Sequence, residues 1–412
     1  MSGEVLFLAH RMPFPPDRGD KIRSSNILKH LAGLAPVHVA TFAETDADLA
    51  QETQLAGVAT SHCLVRRTKP LPLAGAEALL RGLPVSLTAF HSPRIAAYVR
   101  QVLAERPITA IYVFSGQMGQ YVPADFAGRV ILDFVDADSA KFEAYAQDGS
   151  GPRAWIDGRE GRLLLREEAR LAGRAGVSLL ATDEEAALFS ARLSPSERAA
   201  ATVQTLRNGI DSVAFDPAQV APEPQLRAQP GPRLIFTGQM DYAPNIAAVE
   251  RAVHRLMPAI RAVHPDAGFH VVGRNPAEAV RRLNGLNGCT VWGEVPDIRT
   301  WLAAADLALV PLDIARGVQN KVLEAMAMAL PVVLSPGAAT GIGASDGAHL
   351  LIADRDAALV EAVLALLADP ARARSLGAAA REFVVAEASW AAAMAPLAGL
   401  IGAGEAEARR AA

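Results

Sequence analysis

In the stretch Arg316-Gly-Val-Gln-Asn-Lys-Val-Leu-Glu-Ala-Met-Ala-Met328, a lysine and a glutamate stand three residues apart just after a glycine-containing loop. A helix beginning near Gln319 or Asn320 would direct its free backbone N–H groups and positive dipole end at that loop, where an anion can sit. Lys321 then falls in the first turn, and Glu324 lies one turn deeper on the same face. This arrangement suits a nucleoside diphosphate, with the cation and helix end on the pyrophosphate and the carboxylate on a ribose diol. The plainer reading is an exposed i,i+3 ion pair on a crossover helix. Against it, the chain has 40 basic residues but only five lysines, at positions 21, 29, 69, 141 and 321. Arginine is the default cation here, and a lone lysine at a helix start fits a compact phosphate-binding charge.

The elements that must hold this stretch are legible around it. Apolar runs at 307–312 and 330–334 flank it and read as strands. Upstream, strands at 233–236, 269–272 and 289–292 alternate with helices at 246–263, 276–284 and 298–304, which predicts a parallel sheet with helices on both faces. An earlier set of strands, at 5–9, 37–42, 64–65, 110–114, 130–135 and 177–181, predicts a second sheet of the same kind. Residues 212–232 hold five prolines and little periodicity, which marks a linker. The fold class is therefore α/β, with two Rossmann-like doubly wound domains and a cleft between them. The expected division is 1–211, linker 212–232, 233–385, and a C-terminal helix at 386–412.

Ligands of open α/β sheets gather at the carboxyl ends of strands. There the first half places Gly19 between a strand and a helix read at 21–34, Ser115-Gly-Gln, and Asp136-Ala-Asp138. Asp136 or Asp138 could activate an acceptor hydroxyl, or could cap the following helix. Asp136-Ala-Asp138 also has the short Asp-x-Asp form of a metal signature that belongs to a different fold. His10 and His91 fit either a cleft or a structural role.

Composition limits the alternatives. At 412 residues, with 51% hydrophobic and 20% charged residues, the chain has ample material for two buried sheets. A net charge of −4 gives no reason to expect nucleic acid. Cys63 and Cys289 match no metal spacing and read as reduced, buried thiols. No apolar run approaches the roughly 18–20 residues of a membrane span, so the expected location is cytoplasmic, or peripheral on the inner face of the cytoplasmic membrane. Residues 71–103, apolar with Arg81, Arg94 and Arg100 interspersed, fit either a surface lying on anionic lipid or a packed helical pair. The mixed charges of 151–176 read as a solvated helix face. A nicotinamide dehydrogenase is disfavoured, since no GxGxxG follows either first strand and Gly341-Ile-Gly343-Ala-Ser-Asp-Gly347 has the wrong spacing.

Taken in order, the Gly19 loop, Asn208-Gly209-Ile-Asp211, Phe236-Thr-Gly238, Val271-Val-Gly273 and Asn320-Lys321-Val-Leu-Glu324-Ala-Met resemble the nucleotide-sugar-dependent glycosyltransferases of the GT-B fold, in the large retaining group called family four. More narrowly, Gly238-Gln-Met-Asp-Tyr-Ala-Pro-Asn245 and Ala315-Arg-Gly-Val-Gln-Asn-Lys321 resemble a subfamily associated with bacterial exopolysaccharide and PEP-CTERM exosortase loci. The resemblance implies transfer of a sugar from a nucleoside-diphosphate sugar to a glycan or polyprenyl-linked acceptor, with no metal or other cofactor. It places Lys321 on the donor pyrophosphate and Glu324 on the ribose, with the stretch from Gly293 to Val295 against the base. Gly19, Gly238, Gln239, Asp241, Arg274 and Asn320 complete the donor site. Two positions depart from the family pattern: Arg316 stands where an acidic residue touches the donor sugar, and Gln239 where an arginine meets the pyrophosphate. Either Arg316 supplies the charge that Gln239 lacks, or it pairs with an acidic sugar; it is therefore grouped with Asp136 and Asp138 as a catalytic candidate. A nucleotide-sugar epimerase of the same fold and a non-catalytic sugar-nucleotide-binding protein are the competing readings.

Overall fold

Short apolar runs become buried parallel strands when helices cover both faces of the sheet. A computed structural model of the chain describes residues 3–313 and 318–403. The chain divides into two units, Met1–Asn208 with Met394–Ala412, and Gly209–Ala393.

In the first unit the strands are β1 (Glu4–Ala9), β2 (Val37–Ala43), β3 (Ser61–Arg66), β4 (Ile108–Phe114), β5 (Arg129–Val135), β6 (Val177–Leu180) and β7 (Val203–Thr205). They pair in the order β3-β2-β1-β4-β5-β6-β7, with parallel register such as Leu6 beside His38 and Ile111. Every residue of β1 and β2 is buried, as a central parallel strand requires. The helices that matter below are α1 (Gly19–Leu34), α2 (Leu71–Arg81), α3 (Val85–Ala89), α4 (Pro93–Glu105), α5 (Asp138–Asp148) and α6 (Gly151–Ala172).

The second unit holds β8 (Arg233–Thr237), β9 (Gly268–Val272), β10 (Cys289–Gly293), β11 (Leu307–Val310), β12 (Val332–Leu334) and β13 (Leu351–Ile352) in the order β10-β9-β8-β11-β12-β13. Its helices α7 (Ala243–Arg251) and α8 (Asn320–Ala327) follow β8 and β11. Strand order reverses between β1 and β4 in one sheet and between β8 and β11 in the other. Such reversals open a crevice at the carboxyl ends of the strands, and both candidate pockets lie there.

Three readings of local structure need correction. Gly19 is the first residue of α1 and does not precede the helix. Residues 71–103 form three helices, not a pair; α4 buries Ile95, Val99 and Val102, whereas α2 turns leucines outward. The acids of α6 are not a solvated face, because Asp157, Glu160 and Glu168 are buried. Glu160 accepts from Val85 N at 2.7 Å and Ser86 N at 2.9 Å, and Glu168 accepts from Ser139 N at 2.9 Å. They thereby satisfy the orphan N–H groups at the starts of α3 and α5. A mixed-charge pattern does not reveal which side of a helix meets another helix's end.

Candidate active site

At the ends of β8 and β9 two glycines face each other. Gly238 has φ 149° and Gly273 φ 159°. A Cβ on Gly273 would lie 1.7 Å from Gly238 O, and one on Gly238 would lie 3.2 Å from Lys321 Nζ, so side chains here would fill the crevice. α7 then brings the buried Asn245 into its first turn. The Asn245 Nδ2 donates to Gln239 O at 2.8 Å, and its Oδ1 accepts from Lys321 Nζ at 2.5 Å. That ammonium also lies 4.5 Å from the centroid of the Phe236 ring.

Among the described residues no ion pair joins Lys321 to Glu324, which decides against the exposed-pair reading. Burial draws the Lys321 ammonium down to about 8, with Glu324 opposing the shift. Burial likewise raises the Glu324 carboxyl above its ordinary range, with Lys321 opposing. The crevice is therefore a place where a cation is held without a full counter-charge, which is what an incoming anion would supply.

This state of Lys321 makes anion binding pH-dependent with a definite sign. Below pH 8 the ammonium is charged in the free protein; above it, binding an anion must also recruit a proton. Nucleoside diphosphate affinity is expected to hold near pH 7 and to fall by up to about tenfold per pH unit above 8, where the nucleotide's own phosphates are already ionised. Stability of the ligand-free protein moves the other way. The unfolded lysine binds its proton more tightly, so this group's contribution rises as pH climbs from about 8 toward the ordinary lysine value of 10.5. Calorimetric titration and thermal unfolding across pH 7–10 read the two opposite slopes.

Of the donor-binding candidates, Gly238, Gln239, Arg274, Val295, Asn320, Lys321 and Glu324 line one cleft of about 640 Å³. Gly293 is not among its walls; its carbonyl accepts from Gly273 N at 2.8 Å. Asp241 is exposed on the loop after β8 and does not line the cleft. Gly19 belongs to the first unit. Arg316 lies outside the described residues. Arg274 Nη2 donates to Gln239 Oε1 at 3.3 Å, so a guanidinium stands beside the glutamine that replaces the family's arginine. Asn245, Gly273 and Tyr242, to which the sequence motifs assign no role of their own, also line the cleft, as does Glu294 of the stretch expected against the base. The signal for them lay in the motifs Gly238–Asn245 and Val271-Val-Gly273, which contain Tyr242, Asn245 and Gly273.

The first unit carries a separate pocket of about 320 Å³ at the ends of β1, β4 and β5. Asp136 and Asp138 line it, and both reach Lys141 Nζ, at 2.7 and 3.3 Å. Asp138 is the first residue of α5, whose N-cap is Ala137. Phe90, Phe114, Phe134 and Phe142 supply apolar walls. His10 is buried, stacks on Phe114 with centroids 5.8 Å apart, and its Nδ1 has no hydrogen-bond partner among the described residues. Asp20, 3.6 Å from His10 Nε2, is held well below the usual carboxylate range: burial pushes it up, but His10 and Arg11 outweigh burial. His91 is exposed and is not a wall of the pocket. Two non-glycine residues with positive φ, Ser115 at 77° just after β4 and Val135 at 70° at the end of β5, line the pocket, and strain of this kind concentrates at ligand sites.

The family likeness falls on the second unit. Residues 231–369 match the family described as Glycosyl transferases group 1. Alpha-maltose-1-phosphate synthase of Mycolicibacterium smegmatis is 32% identical over 211 aligned residues, covering 46% of this chain and 54% of that protein. A GDP-mannose-dependent monoacylated alpha-(1-6)-phosphatidylinositol monomannoside mannosyltransferase of Corynebacterium glutamicum is 33% identical over 211 residues, covering 46% and 53%. The chain thus spans about half the length of the curated relatives it matches. Among solved structures, Anabaena HepE in complex with UDP and glucose superposes with a TM-score of 0.60 at 16% identity, over 97% of this chain and 99% of that one. Sucrose-phosphate synthase from Thermosynechococcus elongatus gives 0.59 at 18% identity, over 98% and 100%. The two Rossmann-like units expected from the sequence are the architecture these structures share.

Proposed function

We propose that the protein is a glycosyltransferase that binds a nucleoside-diphosphate sugar in the cleft of its second unit. The observation that carries this reading is Lys321, seated over Phe236 and fixed by Asn245 at a helix start, with Glu324 one turn on. In this reading the pyrophosphate meets Lys321 and the first-turn N–H groups of α8, and the ribose hydroxyls meet Glu324. As the sugar–phosphate bond breaks, charge grows on the leaving diphosphate, and a cation already in position stabilises it without reorganisation. The base lies toward Val295. The names of the relatives support the donor class, since one uses GDP-mannose and the HepE structure holds UDP and glucose.

The finer parts of the proposal rest on the resemblance of the motifs. They are retention of configuration, a glycan or polyprenyl-linked acceptor, assembly of cell-surface polysaccharide, and action at the inner face of the cytoplasmic membrane. Acceptor activation is assigned to Asp136 or Asp138, in a pocket whose phenylalanines suit the apolar face of a sugar ring. Arg274 is proposed as the second pyrophosphate cation in place of Gln239, which leaves Arg316 to select the sugar.

Thermal shift against a panel of nucleoside diphosphates and their sugars tests the donor site, because a ligand that binds only the folded state raises apparent stability with concentration. Arg274→Ala is expected to weaken nucleoside diphosphate binding by roughly tenfold to a hundredfold, the scale of one charge-assisted hydrogen bond. Arg316→Ala is expected to leave that affinity unchanged and to alter only the preference among sugars. Diphosphate release that requires an added acceptor separates transfer from epimerisation. Release or epimerisation without any acceptor would overturn the transferase reading.

A further inference from the structure

We infer that α2 and the first turns of α6 form one surface that docks the first unit on an anionic lipid bilayer. α2 is built inside out. Its buried positions are Ala74 and Ala78, while Leu73, Ala76 and Leu80, at i, i+3 and i+7, face water beside Leu79. Leu80 is 89% exposed, and Leu71, Leu73 and Leu79 are each more than half exposed. On a helix whose other side packs on alanine, this apolar stripe has no partner among the described residues.

α6 extends the patch. Arg159 donates to Ala78 O at 2.9 Å and Leu83 O at 3.1 Å, fixing α6 against the end of α2. One turn earlier on the face of Arg159 stands Trp155, 59% exposed, with the exposed Ile156 next to it. Tryptophan beside leucines and arginines is the side-chain set of a helix lying in a membrane interface. The charge is one-sided. The exposed ionic residues of 71–81 and 151–162 are Arg81, Arg153 and Arg162, of which Arg81 also pairs with Glu77 and Arg153 with Asp157. The acids there are withdrawn: Asp157 and Glu160 are buried, and Glu77 is engaged by Lys69 and Arg81. The favoured partner is therefore apolar and negatively charged, which is an anionic bilayer.

Docking here would set the acceptor pocket close to the lipid surface. Glu160, about 7–8 Å along α6 from Trp155, accepts from Ser86 Oγ at 2.7 Å, and Ser86 lines that pocket. A lipid-linked acceptor could thus keep its tail in the bilayer while its headgroup entered the pocket. Docking itself needs no nucleotide, so its test is independent of the donor reading.

The test is co-sedimentation of the full chain with vesicles of phosphatidylcholine alone or mixed with phosphatidylglycerol. Wild type is expected to bind the mixed vesicles, more weakly at high salt. Leu73→Ser with Leu80→Ser is expected to lower binding by at least about tenfold. Both leucines lie in water, so circular dichroism and nucleotide thermal shift should be unchanged. Arg81→Glu with Arg153→Glu should remove the phosphatidylglycerol dependence. Absence of binding to mixed vesicles, or binding that survives the leucine changes, overturns the proposal. So does a concentration-dependent dimer that the same leucine changes abolish while vesicles go unbound, because the surface would then be covered by a second copy of the chain.

Discussion

Lys321→Ala is expected to lower the rate of sugar transfer by about 10²–10³-fold, the loss seen when one preorganised charge-stabilising donor is removed from a reacting centre. The effect should fall on the chemical step as well as on donor affinity, because the charge that Lys321 meets grows as the leaving diphosphate departs. Arginine should restore little. The ammonium sits between the Phe236 ring and Asn245 Oδ1, 3.2 Å from where a Gly238 side chain would begin, and a planar guanidinium is larger and differently shaped. Lys321→Met sharpens the point in the opposite direction. Burial disfavours the ammonium in the empty cleft, so this change should raise the melting temperature of the nucleotide-free protein while abolishing transfer. Stability gained with activity lost would separate a functional cation from a structural one. Steady-state transfer rates and melting curves on the same preparations measure both.

The second large effect belongs to the first unit. Arg23 and Asp133 are each 1% exposed. Arg23 Nε and Nη2 donate to the two Asp133 oxygens at 3.0 and 3.1 Å, Tyr112 OH donates to Oδ2 at 2.8 Å, and Arg23 Nη1 donates to Asn208 Oδ1 at 2.9 Å. One carboxylate thus ties α1, β4 and β5 together near the pocket of the first unit. Asp133→Ala would leave a guanidinium buried without a counter-charge, which costs about 3–5 kcal/mol. The expected result is a fall of on the order of 10 °C in the melting of the first unit. Nucleoside diphosphate binding by the second unit should persist at low temperature. Removing both charges, as Arg23→Met with Asp133→Leu, should recover much of the loss, since apolar replacement of a buried pair is often neutral. A double variant as unstable as Asp133→Ala would show that Tyr112 and Asn208, not the charges, set the cost.

The two sheets were legible because a central parallel strand is a continuous apolar run, and most of the expected strands lie within a residue or two of the observed ones. β7 and β13 escaped notice, being three and two residues long and only partly buried. Lys321 and Glu324 could be read from one short stretch because helix period and helix polarity are local properties. Their setting could not. Asn245 is 76 residues from Lys321, and Asp133 is 110 from Arg23. Nothing in composition or spacing pairs residues across such distances before the sheet order is known. The acids of α6 misled for a related reason: Glu160 and Glu168 look like surface charge until α3 and α5 bring their uncapped ends to them. The inverted α2 was visible only as an excess of leucine, for which a packed helical pair was the commoner reading, until burial showed alanine inside and leucine outside.

The central claim is that the second unit holds a nucleoside diphosphate through Lys321. Calorimetric titration of UDP and of GDP into wild type and Lys321→Ala at pH 7 tests it most directly. At least one nucleotide should bind wild type with a Kd between about 1 μM and 1 mM, and the variant should lose at least about tenfold in affinity. Equal affinity in the variant, or no binding of either nucleotide to wild type at millimolar concentration, would contradict it.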